Sequence, residues 1–372
     1  MNIVKLSVGV LALGALMALP ASAETKILYG SGSSPKSSFL VHGVNPWLTK
    51  AGELTNGSIT YEVQAGGAVV TGKTDLFGVR DGVVDGATIV ASYYPNELPI
   101  AGGIVTALPF LSGDPRVVSG AVTELMLLEC PKCLKEFTDL NIVPIGPFAT
   151  ASYDLVCRKP VATLEDLKGL RVRVPGSAWS RLADALGMAP VQLAVGEMYE
   201  SLQRGTVDCT FGSLNLLDTL SLGEVAKHVI QMPIGLLFSP TSLDLNLQRW
   251  KSLSDAERQA LIDSAGIGVA GTAYSYMKSS QTVIDKREEK GLTIGKPDDA
   301  MTKVLNEFVA SESKAVIADA NGKGVADAEK IVADFTRLVD KWKGIVASIP
   351  EDEASLAKAL NENIYSKFPD VK

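Results

Sequence analysis

The chain has 372 residues, with 35 Lys and Arg against 42 Asp and Glu and a formal net charge of −7. An acidic chain of that length can hold two domains of ordinary size, and with no basic block it makes a poor binder of nucleic acid or of anionic membrane surfaces. Its two histidines, His42 and His228, limit the acid–base catalysis and metal ligation available to it.

Residues 1–23 read as a secretory signal. Lys5 is the positive start, Leu6 to Leu19 the apolar core and Ala21-Ser22-Ala23 the small-residue cleavage site. The apolar core is short for a bilayer span, and no cysteine follows it to carry a lipid anchor. The expected mature chain starts at Glu24 and is exported to the periplasm as a soluble protein.

From there, 26–30 (KILYG) reads as a first strand, followed by the loop SGSSPKSS and a helical stretch that stops near Asn56-Gly57. Ser58 to Gln64 alternates, with Ile59, Tyr61 and Val63 on one face of a half-buried strand. A short helix over Lys73 to Asp81 closes at Gly82, and Gly86 to Ser92 is the next strand. The stretch VRDGVVDG (79–86) is echoed by LQRGTVDC (202–209). In each, a helix ends on Gly, then Val and Asp lead into a strand. Reuse of one supersecondary unit predicts two α/β domains of related build.

The second unit, Asp166 to Cys209, reads strand–helix–strand–helix–strand. Ser177 is the expected cap of a helix carrying Trp179, Leu182, Ala183 and Leu186 at helical spacing, and Gly187 stops it. Gly205 ends the next helix, over Glu197 to Arg204. Arg173 stands at the end of the first strand, where α/β sheets bind ligands. Asp255 to Lys290 contains no proline and reads as one helix, about 50 Å long at roughly 1.5 Å per residue. That is long enough to bridge two domains, although Gly266, Gly268 and Gly271 weaken it by about 1 kcal/mol each against Ala. Ala300 to Ala318 and Val325 to Val346 are further amphipathic helices.

The segment DLKGLRVRVPGSAW…ALGMAPVQLAVGEMYESLQRGTVD resembles the solute-binding proteins of TRAP (tripartite ATP-independent periplasmic) transporters, of the dicarboxylate-receptor type. GSITYEVQAGG, LFGVRDGVVDGATIV, ALPFL and WKSLSDAERQALIDSA extend the resemblance over most of the chain in the family's order. It implies an α/β fold of two periplasmic-binding-protein lobes, joined by hinge strands and one long bridging helix. Lobe I would comprise 24–150 with 238–279, and lobe II 151–237 with 280–372. It also implies a monomeric protein that closes on a small organic carboxylate and delivers it to a membrane permease. In the family, the arginine of the L-R-V-P-type motif pairs with the ligand carboxylate; here that is Arg173. Where relatives carry Q-E-N-P, this chain has Gly212 in the Asn place, followed by Ser213, with Asn215 the nearest substitute. Where many relatives carry a second arginine, it has Tyr153. Both departures point away from a dicarboxylate or a sialic acid.

A guanidinium in a cleft forks onto a carboxylate through two parallel hydrogen bonds; Arg171, on the same face, reads as structural. Ser92, Tyr93 and Tyr94 follow a strand at the expected sheet edge. With Tyr153 and Trp179 they are candidate cleft walls and hydroxyl donors, against the plainer reading of ordinary packing. One cation among aromatics favours a monocarboxylate with an apolar or aromatic body; a four-carbon dicarboxylate or a keto or hydroxy acid is the alternative. Among the three possible pairings of four cysteines, Cys130–Cys133 and Cys157–Cys209 are expected in an exported protein, with four free thiols as the other outcome. C-P-K-C is not expected to open a helix after a strand, which speaks against a redox role. No metal site, cofactor motif or complete catalytic set is found. A hydrolase using His42 and the serine-rich loop is the distant alternative.

Overall fold

The computed structural model describes residues 24–239, 241–369 and 371; the expected signal segment lies outside them. In chain order the strands are β1 (Thr25–Gly30), β2 (Ile59–Gln64), β3 (Gly86–Ile89), β4 (Ile142–Pro144), β5 (Phe148–Cys157) and β6 (Arg171–Val174). They continue as β7 (Ala189–Gln192), β8 (Cys209–Ser213), β9 (His228–Ile230), β10 (Leu236–Ser239), β11 (Thr241–Asn246) and β12 (Thr293–Gly295). A five-stranded sheet runs β2-β1-β3-β11-β4, and a seven-stranded one runs β12-β9-β5-β8-β6-β7 with β10 also paired to β5.

Each sheet is built on one parallel three-strand unit with helical crossovers. In the first, β1 pairs in parallel with β2 and β3, and the helices Asn45–Leu54 and Asp75–Arg80 make the crossovers. In the second, β6 pairs in parallel with β7 and β8 through the helices Ser177–Ala185 and Met198–Arg204. The predicted echo is therefore structural. Gly82 and Gly205 both adopt φ of 72°, a left-handed conformation that costs glycine least, and each lets the helix turn back toward the next strand.

β5 joins the halves. Its early residues pair with β10 and its later ones with β8 and β9, all antiparallel. The long helix, Asp255–Asp285, is about 46 Å at 1.5 Å per residue, one turn shorter than predicted. Ser254 and Glu257 form a reciprocal cap at its start. Its glycines are explained by contact: a Cβ on Gly271 would lie 2.1 Å from the carbonyl oxygen of His42. Only a bare backbone permits that approach to the helical turn Leu40–Val44.

Other expectations need correction. Ser177 is inside its helix, and Gly176 is the N-cap, with no side-chain cap bond. The strand expected over Gly86 to Ser92 stops at Ile89, and a tight turn, Ala91–Tyr93, follows. The helices Ala328–Ser348 and Glu353–Asn363 were themselves expected in the second lobe, and they pack on Pro115–Glu124 and on the long helix. There Trp342 is buried over Gly120 and donates its indole N–H to Glu124, which also pairs with Lys341.

Both expected disulfides are present. Cys157 and Cys209 face each other directly across β5 and β8. Cys130–Cys133 sits at the start of the helix Pro131–Asp139, with Cys130 as N-cap. C-P-K-C does open a helix, but after the helical run Pro115–Glu129 rather than after a strand.

Candidate functional site

Arg173 is the third residue of β6, and its side chain is 0 % exposed. Leu193 just after β7, Phe211 within β8 and Tyr93 on the turn after β3 converge on it, near the carboxyl ends of the parallel strands, where such sheets bind ligands. Its Nε donates to the Leu193 carbonyl at 2.9 Å, one terminal nitrogen to the Phe211 carbonyl at 3.3 Å and the other to the Tyr93 hydroxyl at 3.0 Å. All three partners are neutral. Taking a guanidinium out of water without a counter-charge is costly, and none of the ion pairs among the described residues includes it. Arg171 differs. It is exposed at the other end of the strand and forks onto Asp208, with a further bond to the Gly205 carbonyl. The hydrogen bond from Arg171 holds the Asp208 pKa below its usual value.

Tyr93 reaches Arg173 from the first half, on the turn after β3. Its hydroxyl accepts from Arg173 and also from the Val195 backbone N–H at 3.0 Å. Burial pushes the Tyr93 pKa up, and the Arg173 charge pulls it part of the way back. Beside it, the Ser92 hydroxyl donates to the Pro175 carbonyl at 2.8 Å, and Gln192 donates to the Ser92 carbonyl at 3.3 Å. Lys73 and Glu197 form an exposed ion pair between the same two halves at 2.7 Å. Tyr94 turns the other way: its hydroxyl donates to Asp75 at 2.5 Å, within the first half.

Between the halves lies a cavity of about 30 Å³, room for one or two waters. Aromatic rings line it. Phe39 stacks on Phe148 at 5.6 Å and Phe148 on Tyr276 at 6.0 Å, with Tyr93 and Tyr153 completing the wall. Ser33, Ser37, Ser38, Thr150, Ser213 and Thr219 also line the cavity. Arg173 itself does not line the cavity. It is reached through Tyr93 and Tyr153; burial raises the Tyr153 pKa and the Arg173 charge opposes that rise. Trp179 stands behind Tyr153 at 5.7 Å, with its indole N–H on the Ile234 carbonyl. Asn215 accepts from Ser213 at 2.6 Å and donates to Ser38 at 3.3 Å, so it ties the two halves at the cavity edge. Gly212 pairs with Asp154 on β5, and a side chain there would point at Leu216 and Met198, on the other face of the sheet from Ser213.

Arg173, Tyr93, Tyr153, Ser213, Asn215 and Ser92 are thus gathered in one place, with Trp179 as support, while Tyr94 and Gly212 face elsewhere. Ser213 was expected here; Ser33, Ser37, Ser38, Phe39, Phe148, Thr150, Thr219 and Tyr276 were not singled out as cleft residues in the sequence. The available signal was SGSSPKSSF directly after β1, a loop at the carboxyl end of a parallel strand, the rule that located Arg173. Among the described residues there is no group of three or more His, Cys, Asp and Glu placed to hold a metal ion. His42 is exposed, and among the described residues it makes no bond to a serine.

The sequence model of the family described as bacterial extracellular solute-binding protein, family 7, matches residues 30–318. A solute-binding protein of Roseobacter denitrificans is 27% identical over 305 residues, covering 76% of this chain and 86% of that protein. The fold is similar to a marine-metagenome TRAP solute-binding protein specific for aromatic acid ligands, from an unidentified microbe. The TM-score is 0.76 and the identity 22%, over 86% of this chain and 99% of that one. A TRAP solute-binding protein of Rhodoferax ferrireducens, in complex with copurified benzoate, superposes with a TM-score of 0.76 at 19% identity, over 87% and 99% of the two chains.

Proposed function

The chain belongs to the family 7 bacterial extracellular solute-binding proteins, as the match over residues 30–318 shows, and from that premise we propose that it is the periplasmic receptor of a TRAP transporter for a small organic monocarboxylate. The observation that carries this reading is Arg173, a fully buried cation whose partners are all neutral. A carboxylate entering the cleft supplies the missing charge through hydrogen bonds of the strong, charge-assisted kind. The stacked Phe39, Phe148 and Tyr276 favour an aromatic body, and the two relatives bound to or specific for aromatic acids agree with that choice. The six cavity hydroxyls keep a hydroxy or keto acid as the second reading. A four-carbon dicarboxylate ranks last, because its second charge finds no cation among the cavity-lining residues. The protein binds without converting its ligand and needs no cofactor.

In this reading the chain works as a monomer, is exported by removal of residues 1–23 and hands its ligand to the membrane permease subunits. Lobe I comprises 24–150, 238–279 and the terminal helices from residue 328 onward; lobe II comprises 151–237 and 280–322. A thermal-shift screen across organic acids tests the ligand class. Benzoate-like acids should raise the melting temperature most, and binding at a hundredfold excess over Kd is worth about 2.7 kcal/mol. A shift given only by four-carbon dicarboxylates, sugars or cations defeats the proposal.

A further inference from the structure

The Tyr93 hydroxyl is held by two donors from the opposite half, a guanidinium N–H of Arg173 and the backbone N–H of Val195, each at 3.0 Å. A guanidinium and an amide converging on one oxygen are the donor pair a carboxylate oxygen takes. Resting on the reading of Arg173 as carboxylate anchor, we propose that Tyr93 is an internal competitor for the ligand: its hydroxyl draws the two halves together by occupying these donors, and an incoming carboxylate replaces it.

Three observations support the exchange. Burial keeps the phenol protonated, so its oxygen is a neutral acceptor and a weaker partner for a guanidinium than an ionised carboxylate. The cavity of about 30 Å³ is smaller than any ring-bearing acid, so a lining side chain must retreat to admit one. Tyr93 also has somewhere to go. A recess of about 290 Å³ whose lining includes Gly72, Ala194, Lys73 and Glu197 lies near its ring, and a Cβ on Gly72 would stand 3.5 Å from the ring edge.

The test is Tyr93→Phe, which keeps the ring and removes the oxygen; an unliganded melting curve checks that the variant is folded. Two results are required. By small-angle scattering without ligand, Tyr93→Phe should have a larger radius of gyration than wild type, because one of the bonds holding the halves together, the one at the anchor, is gone. By calorimetric titration with benzoate, it should bind about three- to tenfold tighter, the size expected for removing one competing hydrogen bond. An unchanged radius, or equal or weaker benzoate binding, overturns the proposal; weaker binding would make Tyr93 a direct ligand contact. Arg173→Ala separates this from the underlying reading. If Arg173→Ala loses binding while Tyr93→Phe weakens it, the anchor stands and the competitor falls. If wild type does not bind benzoate, the aromatic ligand falls, and the scattering comparison still decides whether Tyr93 holds the halves together.

Discussion

Arg173 and Arg171 sit two residues apart on one short strand and meet opposite surroundings. Arg171 has a carboxylate partner in Asp208 and stays exposed, whereas Arg173 is buried among carbonyls and a phenol. For Arg173→Ala, affinity for the organic acid should fall by about 30- to 5,000-fold, the equivalent of roughly 2–5 kcal/mol for truncating one member of a buried charge pair. Folding should be unimpaired, because the change removes a buried cation that has no counter-charge. Arg171→Ala should bind almost normally, and titration of both variants against wild type reads the difference. The strand-end position made Arg173 legible in the sequence. Tyr93 and Tyr94 show where such reading stops. Adjacent residues leaving a strand point to different sides, and nothing in Ser-Tyr-Tyr says which ring meets the guanidinium and which meets Asp75.

At the scale of elements, the two disulfides are chemically alike and mechanically unequal. Cys157–Cys209 closes a sequence separation of 52 residues and fixes β5 to β8, whereas Cys130–Cys133 closes a separation of 3. Loop-closure entropy gives about 4 kcal/mol for the first and about 1.6 kcal/mol for the second. The Cys157→Ser/Cys209→Ser double variant should therefore lower the urea midpoint clearly more than Cys130→Ser/Cys133→Ser. A larger effect from the short loop would contradict that ordering. The paired strand–helix–strand units and their glycine stops were readable, because left-handed turns and apolar periodicity are local. The contact beneath Gly271 was not. Propensity alone counts that glycine as a defect of the helix, and only the neighbouring turn shows why a side chain is excluded.

At the scale of the whole molecule, buried carboxyls set a pH dependence. Burial raises Asp75 from 3.8 to about 7, against the hydrogen bond from Tyr94, and Asp154 from 3.8 to about 8, against the backbone N–H of Met232. Glu136 is likewise raised by burial from 4.5 to about 7, against the N–H groups of Ala101 and Ile100. Each holds its proton more tightly folded than unfolded, so their contribution is full below the ordinary carboxyl range and is lost as pH rises toward 8. Glu257 works oppositely. Burial disfavours its charge, but bonds from Ser58 and Ser254 outweigh that and bring it to about 2, so its contribution is lost as pH falls from 4.5 toward 2. Unliganded melting temperature should decline from mildly acidic to mildly alkaline pH, and Asp154→Asn should flatten that decline; an unaltered slope in Asp154→Asn would exclude Asp154 as a source. The two-lobe plan was legible from the repeated unit and the family resemblance. The return of the terminal helices to the first half was not, because an amphipathic stripe records that a face is buried and not what buries it.

That return has a consequence in time. The first half receives Trp342 over Gly120 and Glu124 from a helix more than 200 residues further along, so that half cannot close its core until residue 342 has been made. The second half also waits for a late segment, but its last helix ends at Gly322, ahead of Trp342. The family is extracellular, and in a chain that crosses a membrane before it folds, this late completion keeps the first half open for longer.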